Sequence, residues 1–196
     1  IGQAFGPRGI QGYHPARFSN VEGLGLVTDD TQMTLFTAEG LVRANVRWTA
    51  KGICHPPSVV HHAYERWLTT QTLPGPSQTS DTDDPDFVDG WLGEQMWLYS
   101  RRAPGNTCLS ALEQTRGRGF GEPAHNNSKG CGAVMRSAPF GLLRLDDAAQ
   151  MAEECAALTH GHPTGQLASG ALAVIVEALA AGRPLGASIE MALDWL

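Results

Sequence analysis

The sequence feature that most constrains the fold is a pair of adjacent carboxylates, Asp29 and Asp30, directly before a long apolar segment. From Asp30 to Trp48 the apolar residues follow a helical period. They fall on two faces, one with Met33, Phe36, Gly40 and Ala44 and the other with Leu35, Ala38, Val42 and Val46. A helix that is apolar on two faces is typical of a protein interior. The pattern therefore predicts that the acidic pair lies at the N-terminal end of a buried central helix.

Two interpretations of this acidic pair follow from its position. In the first, Thr28 or Asp29 is a helix cap, because the free N–H groups and the dipole at a helix start favour such residues. In the second, Thr28, Asp29 and Asp30 bind a hard divalent cation, since Mg²⁺ prefers carboxylate and hydroxyl oxygens. A buried carboxylate needs pairing, hydrogen bonds or a metal. The buried character of the following helix therefore favours the metal site.

Composition restricts the class of protein. The 196 residues include 14 basic and 20 acidic side chains and are 42% hydrophobic, as expected of one globular domain spanning residues 1–196. The absence of a basic run argues against binding to a nucleic-acid backbone, and no apolar run near 18 residues predicts a membrane span. Four scattered cysteines without a C-x-x-C motif indicate reduced thiols and a cytoplasmic protein. Because the chain starts at Ile1 and stops at Leu196 inside an apolar period, we expect it to lack N- and C-terminal parts.

Helical patterns recur through the rest of the chain, and no alternating strand pattern competes with them. Residues 1–27 and Leu73 to Asp86 are predicted to be loops, and a short helix is predicted from Gly90. The longer predicted helices begin at Pro56, at a cap formed by Asn106 or Thr107, at Asp146-Asp147 and at Pro163. The third of these should end at Gly161 in a left-handed conformation, and the fourth at Gly182. The predicted fold class is therefore all-α.

Histidines surround the start of the second predicted helix, namely His55, His61 and His62. No H-E-x-x-H pattern is present, so the spacing does not match that zinc motif. Because His61 and His62 are adjacent, they are predicted to point to different helix faces and not to share an ion.

A glycine-rich stretch closes with the sequence from Asn126 to Arg136. It is predicted to be a loop that enters a helix N-terminus. Glycines allow backbone N–H groups to approach a ligand, and a helix start attracts anions, which together suit a phosphate or diphosphate. The order of residues matches neither a Walker A loop nor a Rossmann loop. A plain turn is the alternative interpretation.

Three blocks together resemble the ADP-ribosylglycohydrolase family, which includes the dinitrogenase-reductase-activating type. They are Thr28-Asp29-Asp30-Thr31, Asn127 to Arg136 followed by Pro139, and Thr159-His160-x-x-x-x-Gly165. The resemblance covers essentially the whole chain. It implies an all-α fold with a two-metal cleft and hydrolysis of the bond between ribose C1″ and an acceptor on an ADP-ribosylated protein or small molecule.

The resemblance also implies roles for individual residues. Thr28, Asp29 and Asp30 would be metal ligands for Mg²⁺ or Mn²⁺, with two ions in the complete protein, and Asp29 and Asp30 would be catalytic. The substrate would be bound by Asn127, Ser128, Gly130, Gly132 and His160.

This sequence departs from the family pattern in two places. Members carry an early Gly-Asp-Ala-x-Gly segment and a late Asp-x-Asp-Ser/Thr motif, and neither is present here. Three ligands from one element cannot fill two octahedral sites without water or another chain. One alternative is therefore a non-catalytic ADP-ribose-binding or crystallin-like structural member of the same fold. A second alternative is an α-helical protein that binds nucleotide phosphates.

Overall fold

The computed structural model describes residues 27–77, 88–118, 120–143 and 147–196. Within these ranges the chain forms seven α-helices, three short 3₁₀ turns and no strand, which confirms the predicted all-α fold. The helices are α1 (Asp29–Lys51), α2 (Pro56–Thr70), α3 (Asn106–Thr115), α4 (Ala138–Leu142), α5 (Ala148–Ala157), α6 (Pro163–Ala180) and α7 (Leu185–Trp195). The loop predicted for residues 1–27 lies outside the described residues except for its last residue. Most of the predicted loop from Leu73 to Asp86 lies outside them as well.

The core lies where α1 and α2 pack against each other and against the neighbouring helices. Phe36 of α1 and Trp67 of α2 are among its largest fully buried side chains. Gly40 permits the close approach of these two helices, because a Cβ atom there would lie 3.0 Å from Val60 Cα and 3.2 Å from Ala63 Cβ. Protein interiors are close-packed, so a methyl group at this position would displace α2.

The core-facing residues at the start of α1 are buried, whereas several apolar residues of its second half are exposed. Asp29 and Met33 are 7% and 0% exposed, whereas Val42, Val46 and Trp48 are 57%, 60% and 59% exposed. The prediction that both apolar faces are buried is therefore wrong for the second face. Since α2 covers only one side of α1, the other apolar side faces solvent over the last turns. The buried end is the one that carries the acidic pair.

The segment before α3 is held against α1 by polar contacts. The Nε2 amide of Gln32 donates to Ser100 O at 3.1 Å, and the N–H of Asp29 donates to Arg102 O at 3.0 Å. An ion pair of 2.6 Å joins Arg43 to Asp89 at the other end of the segment. Between them, the helix predicted from Gly90 is instead two 3₁₀ turns, Trp91–Glu94 and Met96–Leu98. These contacts place the start of α3 beside the start of α1.

The cap predicted for α3 is wrong, and the cap predicted for α5 is confirmed in position but not in its side-chain hydrogen bond. The N-cap of α3 is Gly105, with no side-chain cap, so neither Asn106 nor Thr107 has that role. Asp147 is the N-cap of α5 by position, but its carboxylate makes no capping hydrogen bond. Asp146 lies outside the described residues. The capping propensity of Asn and Asp is a weak local preference, and tertiary contacts override it here.

Gly161 is important for packing and not for a left-handed turn. Helix α5 ends at Ala157 with a right-handed C-cap at Leu158, so the predicted left-handed Gly161 is wrong. A Cβ atom on Gly161 would clash with the carbonyl oxygens of Asn126 and Ala124. The glycine therefore permits the glycine-rich loop to lie directly on the segment after α5.

The glycine-rich loop does not enter a long helix. It continues into the 3₁₀ turn Val134–Arg136 and then into α4, which has only five residues. The predicted helix N-terminus for anion binding is therefore wrong, since the helix dipole needs aligned peptide units over several turns. Any anion-binding capacity of this loop must come from its own N–H groups and side chains.

Helix α6 begins at Pro163 and is followed by Gly182 with φ of 83°, as predicted. By length and composition alone it could cross a membrane, with a mean hydropathy of 1.2 over 18 residues. Core helices of soluble proteins pass the same test, and α6 packs against α4, α5 and α7. This single helix is therefore weak evidence for a membrane span.

Candidate active site

The acidic pair opens α1, and neither carboxylate acts as a simple cap. Thr28 is the N-cap by position but makes no capping hydrogen bond. Its hydroxyl instead donates to Asp30 Oδ2 at 2.7 Å. Asp29 is buried, whereas Asp30 is exposed. The side-chain oxygens of all three residues therefore lie together at one helix end, with one carboxylate facing the interior and one facing solvent.

The pKa of Asp29 is raised from its ordinary value, first by burial and then by the charge of Asp30. Backbone N–H groups of Gly105, Asp29 and Asp30 oppose the shift. Two neighbouring carboxylates under these conditions are stabilised as anions by a hard cation, and the oxygen donor set suits Mg²⁺. In the described ranges, no third carboxylate, imidazole or thiolate joins this pair in one cluster. The residues present fit part of the ligand shell of one hard cation.

Asn126 holds the glycine-rich loop against the segment after α5. Its Oδ1 accepts from the N–H of Ser128 and from the N–H of Gly161, both at 3.0 Å. Its Nδ2 donates to Thr159 O at 2.8 Å. One side chain thus makes three hydrogen bonds and fixes the loop relative to Thr159 and His160.

Ser128 connects the same loop to the start of α3. Its hydroxyl oxygen accepts from the N–H of Gly130 at 3.3 Å and lies 3.3 Å from Thr107 Oγ1. Two residues before Thr107, the N–H of Gly105 faces the carboxylate of Asp29. The first turn of α3 therefore touches both the acidic pair and the glycine-rich loop, which places them on one side of the molecule.

His160 is buried beneath the loop, and its tautomer follows from its neighbours. Its Nδ1 lies 2.8 Å from Thr159 Oγ1, which accepts a 2.6 Å hydrogen bond from Arg136 Nη2. A guanidinium only donates, so the hydroxyl proton of Thr159 remains for Nδ1, and we assign the ring proton to Nε2. Burial, followed by the charge of Arg136, lowers the pKa of His160 to about 4. The imidazole is therefore neutral at neutral pH.

Three glycines allow the backbone to surround this imidazole. A Cβ atom on Gly132 would lie 3.1 Å from His160 Cε1 and 3.1 Å from Cys108 Sγ. A Cβ atom on Gly130 would lie 3.5 Å from Nε2, and one on Gly165 would lie 3.3 Å from the Cβ of His160. The donor Nε2–H thus lies against the glycine-rich loop, beside Gly130 and Gly132.

A comparison with models of known protein families identifies the family of this chain. The model of the family described as ADP-ribosylglycohydrolase matches residues 1–196. The chain belongs to the ADP-ribosylglycohydrolase family. No solved structure matches it. The resemblance predicted from the three sequence blocks is therefore confirmed, and with it a glycohydrolase activity for the family to which this chain belongs.

Not all the site residues expected of this ADP-ribosylglycohydrolase contact one another. Ser128, Gly130, Gly132 and His160 form one cluster, and Asp29 joins it through the start of α3. Asn127, like Asp30, is exposed to solvent.

Arg136 and Asn126 were not predicted as site residues. Arg136 is 1% exposed and lies beneath the loop, where its guanidinium carbon is 4.2 Å from the centroid of the Tyr64 ring. Its position at the end of the block Asn127 to Arg136 was available as a signal, but a surface location is the ordinary expectation for arginine. Asn126 precedes the block by one residue, and its role depends on contacts distant in sequence.

A second group of possible metal ligands lies on α2. His61, His62 and Glu65 each offer one ligand atom, and these atoms lie within 4.8 Å of one another. His61 is buried and His62 is exposed, which agrees with the prediction that they point to different helix faces. Glu65 lies one turn later, and its Oε2 lies within 3.9 Å of both Nδ1 atoms. No contact here tests the prediction that the two histidines do not share an ion.

Proposed function

We propose that this chain hydrolyses the bond between ribose C1″ and the acceptor of an ADP-ribosylated protein or small molecule, with Mg²⁺ as its divalent cation. The observation that supports this most is the convergence at the start of α3. There the N–H of Gly105 faces Asp29 while Thr107 lies 3.3 Å from Ser128 of the glycine-rich loop. Groups suited to a cation and groups suited to a diphosphate are thus brought to the same place.

The acidic pair would hold the cation. Thr28, Asp29 and Asp30 supply hydroxyl and carboxylate oxygens, which match the preference of Mg²⁺. When bound, a divalent cation supplies positive charge that holds ribose hydroxyls and favours ionisation of water. A carboxylate of this pair, Asp29 or Asp30, would accept a proton from an attacking water as a general base.

The glycine-rich loop would bind the ADP-ribose moiety. Gly130 and Gly132 allow the backbone to approach the ligand closely, and the Ser128 hydroxyl and the Asn127 amide provide polar contacts. His160 would contribute its Nε2–H as a neutral donor to a ribose oxygen. Because Arg136 and burial keep the imidazole neutral, His160 would position the sugar and would not serve as an acid near pH 7.

A second candidate function is ADP-ribose binding without turnover. The observation that favours it is the short ligand set, since the described residues place only the Thr28, Asp29 and Asp30 oxygens at the cation site. A two-ion centre would need further ligands. In this second candidate function, the loop and His160 would bind ADP-ribose, and no hydrolysis would follow.

One experiment separates the two candidates. The chain is assayed with Mg²⁺ for release of free ADP-ribose from arginine-linked, serine-linked and small-molecule substrates, and the same sample is titrated with ADP-ribose by calorimetry. Turnover that falls by at least about 100-fold in Asp29→Asn/Asp30→Asn supports the hydrolase. Binding without turnover on any substrate supports the second candidate. Neither binding nor turnover would refute both. Asp147→Asn, an exposed acid at the start of α5, is the matched control.

A further inference from the structure

Helix α2 carries a cluster of ligand atoms that the proposed reaction does not use. The Nδ1 atom of His62 lies 2.8 Å from Glu65 Oε2, and the Nδ1 atom of His61 lies 3.9 Å from the same oxygen. Glu65 is three positions after His62 and four after His61, so its side chain is a helix neighbour of each histidine. Both imidazoles therefore converge on one carboxylate oxygen.

The tautomer of His61 is fixed by its other ring nitrogen. Nε2 lies 2.9 Å from Thr115 Oγ1, and that hydroxyl donates its single proton to the carbonyl oxygen of Ala111 at 3.1 Å. With its proton donated to Ala111, Thr115 accepts from His61, and we assign the ring proton of His61 to Nε2. Nδ1 of His61 then carries a lone pair, and it is buried without a hydrogen-bond partner. His61 as a whole is 0% exposed.

Glu65 is also oriented towards the cluster. Its Oε1 accepts a 2.7 Å hydrogen bond from the N–H of Gly117, which leaves Oε2 for the two histidines. The lone pair of His61 and the carboxylate oxygen thus face each other as two acceptors, with no proton available between them. A cation placed between them would satisfy both.

A simple ion pair does not explain this arrangement. Protonated His62 paired with Glu65 would account for the 2.8 Å contact, but it would leave Nδ1 of His61 unpartnered. Two imidazoles and a carboxylate are ligands typical of Zn²⁺. With bonds of about 2.0–2.1 Å, neighbouring ligand atoms of a tetrahedral zinc lie about 3.3 Å apart. The observed separations of 2.8 and 3.9 Å lie on either side of that value.

We propose that His61 Nδ1, His62 Nδ1 and Glu65 Oε2 form a binding site for a divalent transition-metal cation of the zinc type. The exposed side of His62 leaves a fourth position for water. Thr115 and Gly117 orient the ligands through Nε2 of His61 and Oε1 of Glu65, as outer partners of metal ligands commonly do. The site is chemically distinct from the oxygen-only acidic pair on α1, which suits a harder ion.

This site would join α2 to the chain that follows α3. Thr115 ends α3, Gly117 follows it, and a Cβ atom on Gly121 would lie 3.3 Å from the Cβ of His61. A bound metal would therefore stabilise the beginning of the glycine-rich stretch as well as α2. Ligands that bind only the folded state raise its stability, so the melting temperature should rise with Zn²⁺.

The test is a Zn²⁺ titration of the whole chain against a chromophoric chelator, with excess Mg²⁺ present to occupy oxygen sites. We expect one zinc per chain in the wild type. His62→Gln and Glu65→Gln should each weaken binding by at least about 10-fold and abolish the rise in melting temperature. His125→Gln removes an exposed histidine elsewhere, and Cys131→Ser removes an exposed thiol, so both should bind as the wild type does.

Thr115→Val tests the orienting partner of His61. It removes the acceptor of Nε2–H while keeping side-chain shape, and zinc affinity should fall by about 10-fold with stoichiometry unchanged. His62 is exposed, so His62→Gln remains informative even if a variant of buried His61 fails to fold. Equal zinc affinity in the wild type, His62→Gln and Glu65→Gln would overturn the proposal. So would zinc binding that is lost only in Cys131→Ser, or no measurable binding by the wild type.

Discussion

Arg136 donates to Thr159 through a 2.6 Å hydrogen bond in the interior of the protein. Among the described residues Arg136 has no salt bridge, and its remaining guanidinium contacts are the Tyr64 ring face, two sulfur atoms and a carbonyl oxygen. This bond fixes the hydroxyl of Thr159 as a donor to Nδ1 of His160 and so puts the ring proton on Nε2, which faces the glycine-rich loop. Because the buried charge of Arg136 has few strong partners, its short hydrogen bond to Thr159 is important for the stability of the fold. It is also important for the protonation of His160 in the site.

Removing the Thr159 hydroxyl should destabilise the fold. Thr159→Val leaves a buried guanidinium without its shortest acceptor, and we expect the free energy of unfolding to fall by about 2 kcal/mol. Thr159→Ser keeps the hydroxyl and should stay within about 1 kcal/mol of the wild type. Urea unfolding of the three proteins measures the difference. A Thr159→Val variant as stable as the wild type, or a Thr159→Ser variant that loses as much as Thr159→Val, would contradict a specific role of the hydroxyl.

His160 should make the stability pH-dependent in acid. Its pKa is about 4 in the folded state and near 6.5 when unfolded. Between these values the unfolded chain binds a proton at His160 that the folded chain does not, so stability is highest above about pH 6.5 and falls as the pH is lowered. The loss should reach about 3 kcal/mol and level off below about pH 4.

The comparison that isolates this effect is wild type against His160→Gln. Burial also lowers the pKa of His61, and that residue contributes a slope of the same sign in both proteins. The difference in unfolding free energy between wild type and variant should therefore change with pH through the His160 contribution alone. A difference that is constant from pH 4 to 7 would contradict a neutral, buried His160.

Gly132 should be more important for binding ADP-ribose than a glycine in open space. In Gly132→Ala the new methyl group meets Cys108 Sγ and His160 Cε1 at 3.1 Å, which displaces the loop by a few tenths of an ångström. We expect affinity for ADP-ribose to fall by about 10-fold. Gly186→Ala is the control, because a Cβ atom there has nothing within 4 Å. Calorimetry measures the affinity of both variants for ADP-ribose. Equal affinities would show that the loop is not part of the ADP-ribose-binding site.

Asn126 should position the loop without touching the reaction itself. Asn126→Ala removes the acceptor for the N–H groups of Ser128 and Gly161 and the donor to Thr159 O. We expect KM to rise by about 10-fold with a smaller change in kcat, since the loop must then be ordered by the substrate. His125→Ala changes the exposed neighbour and should leave KM unchanged. A fall in kcat at constant KM would instead indicate a direct part in the chemistry.

The parts of the fold that follow from local periodicity were predictable. The apolar spacing after Pro56 and after Pro163 gave α2 and α6, and the small residue Gly40 lies where α1 and α2 meet. The buried end of α1 was also predictable, because Met33 and Phe36 follow the acidic pair at helical spacing. Burial of the opposite face was not, because it depends on non-local packing, and Val42 and Val46 are exposed.

The glycine-rich loop could not be predicted in detail because non-local contacts hold it. Asn126 and Gly161 are 35 residues apart in sequence, and their hydrogen bond is invisible to a periodic pattern. The same holds for buried Arg136, whose partners come from four separate parts of the chain. The convergence of His61 and His62 on Glu65 was not predicted, because adjacent residues on a helix can both reach a side chain one turn later.

The central claim is that Asp29 and Asp30 hold a cation for hydrolysis of an ADP-ribosyl bond. The most direct test measures the rate of ADP-ribose release as Mg²⁺ is titrated, with wild type and Asp29→Asn/Asp30→Asn in parallel. We predict a saturable dependence on Mg²⁺ in the wild type and a rate at least about 100-fold lower in the variant at every concentration. Release by the double variant at the wild-type rate, with the same Mg²⁺ dependence, would contradict it.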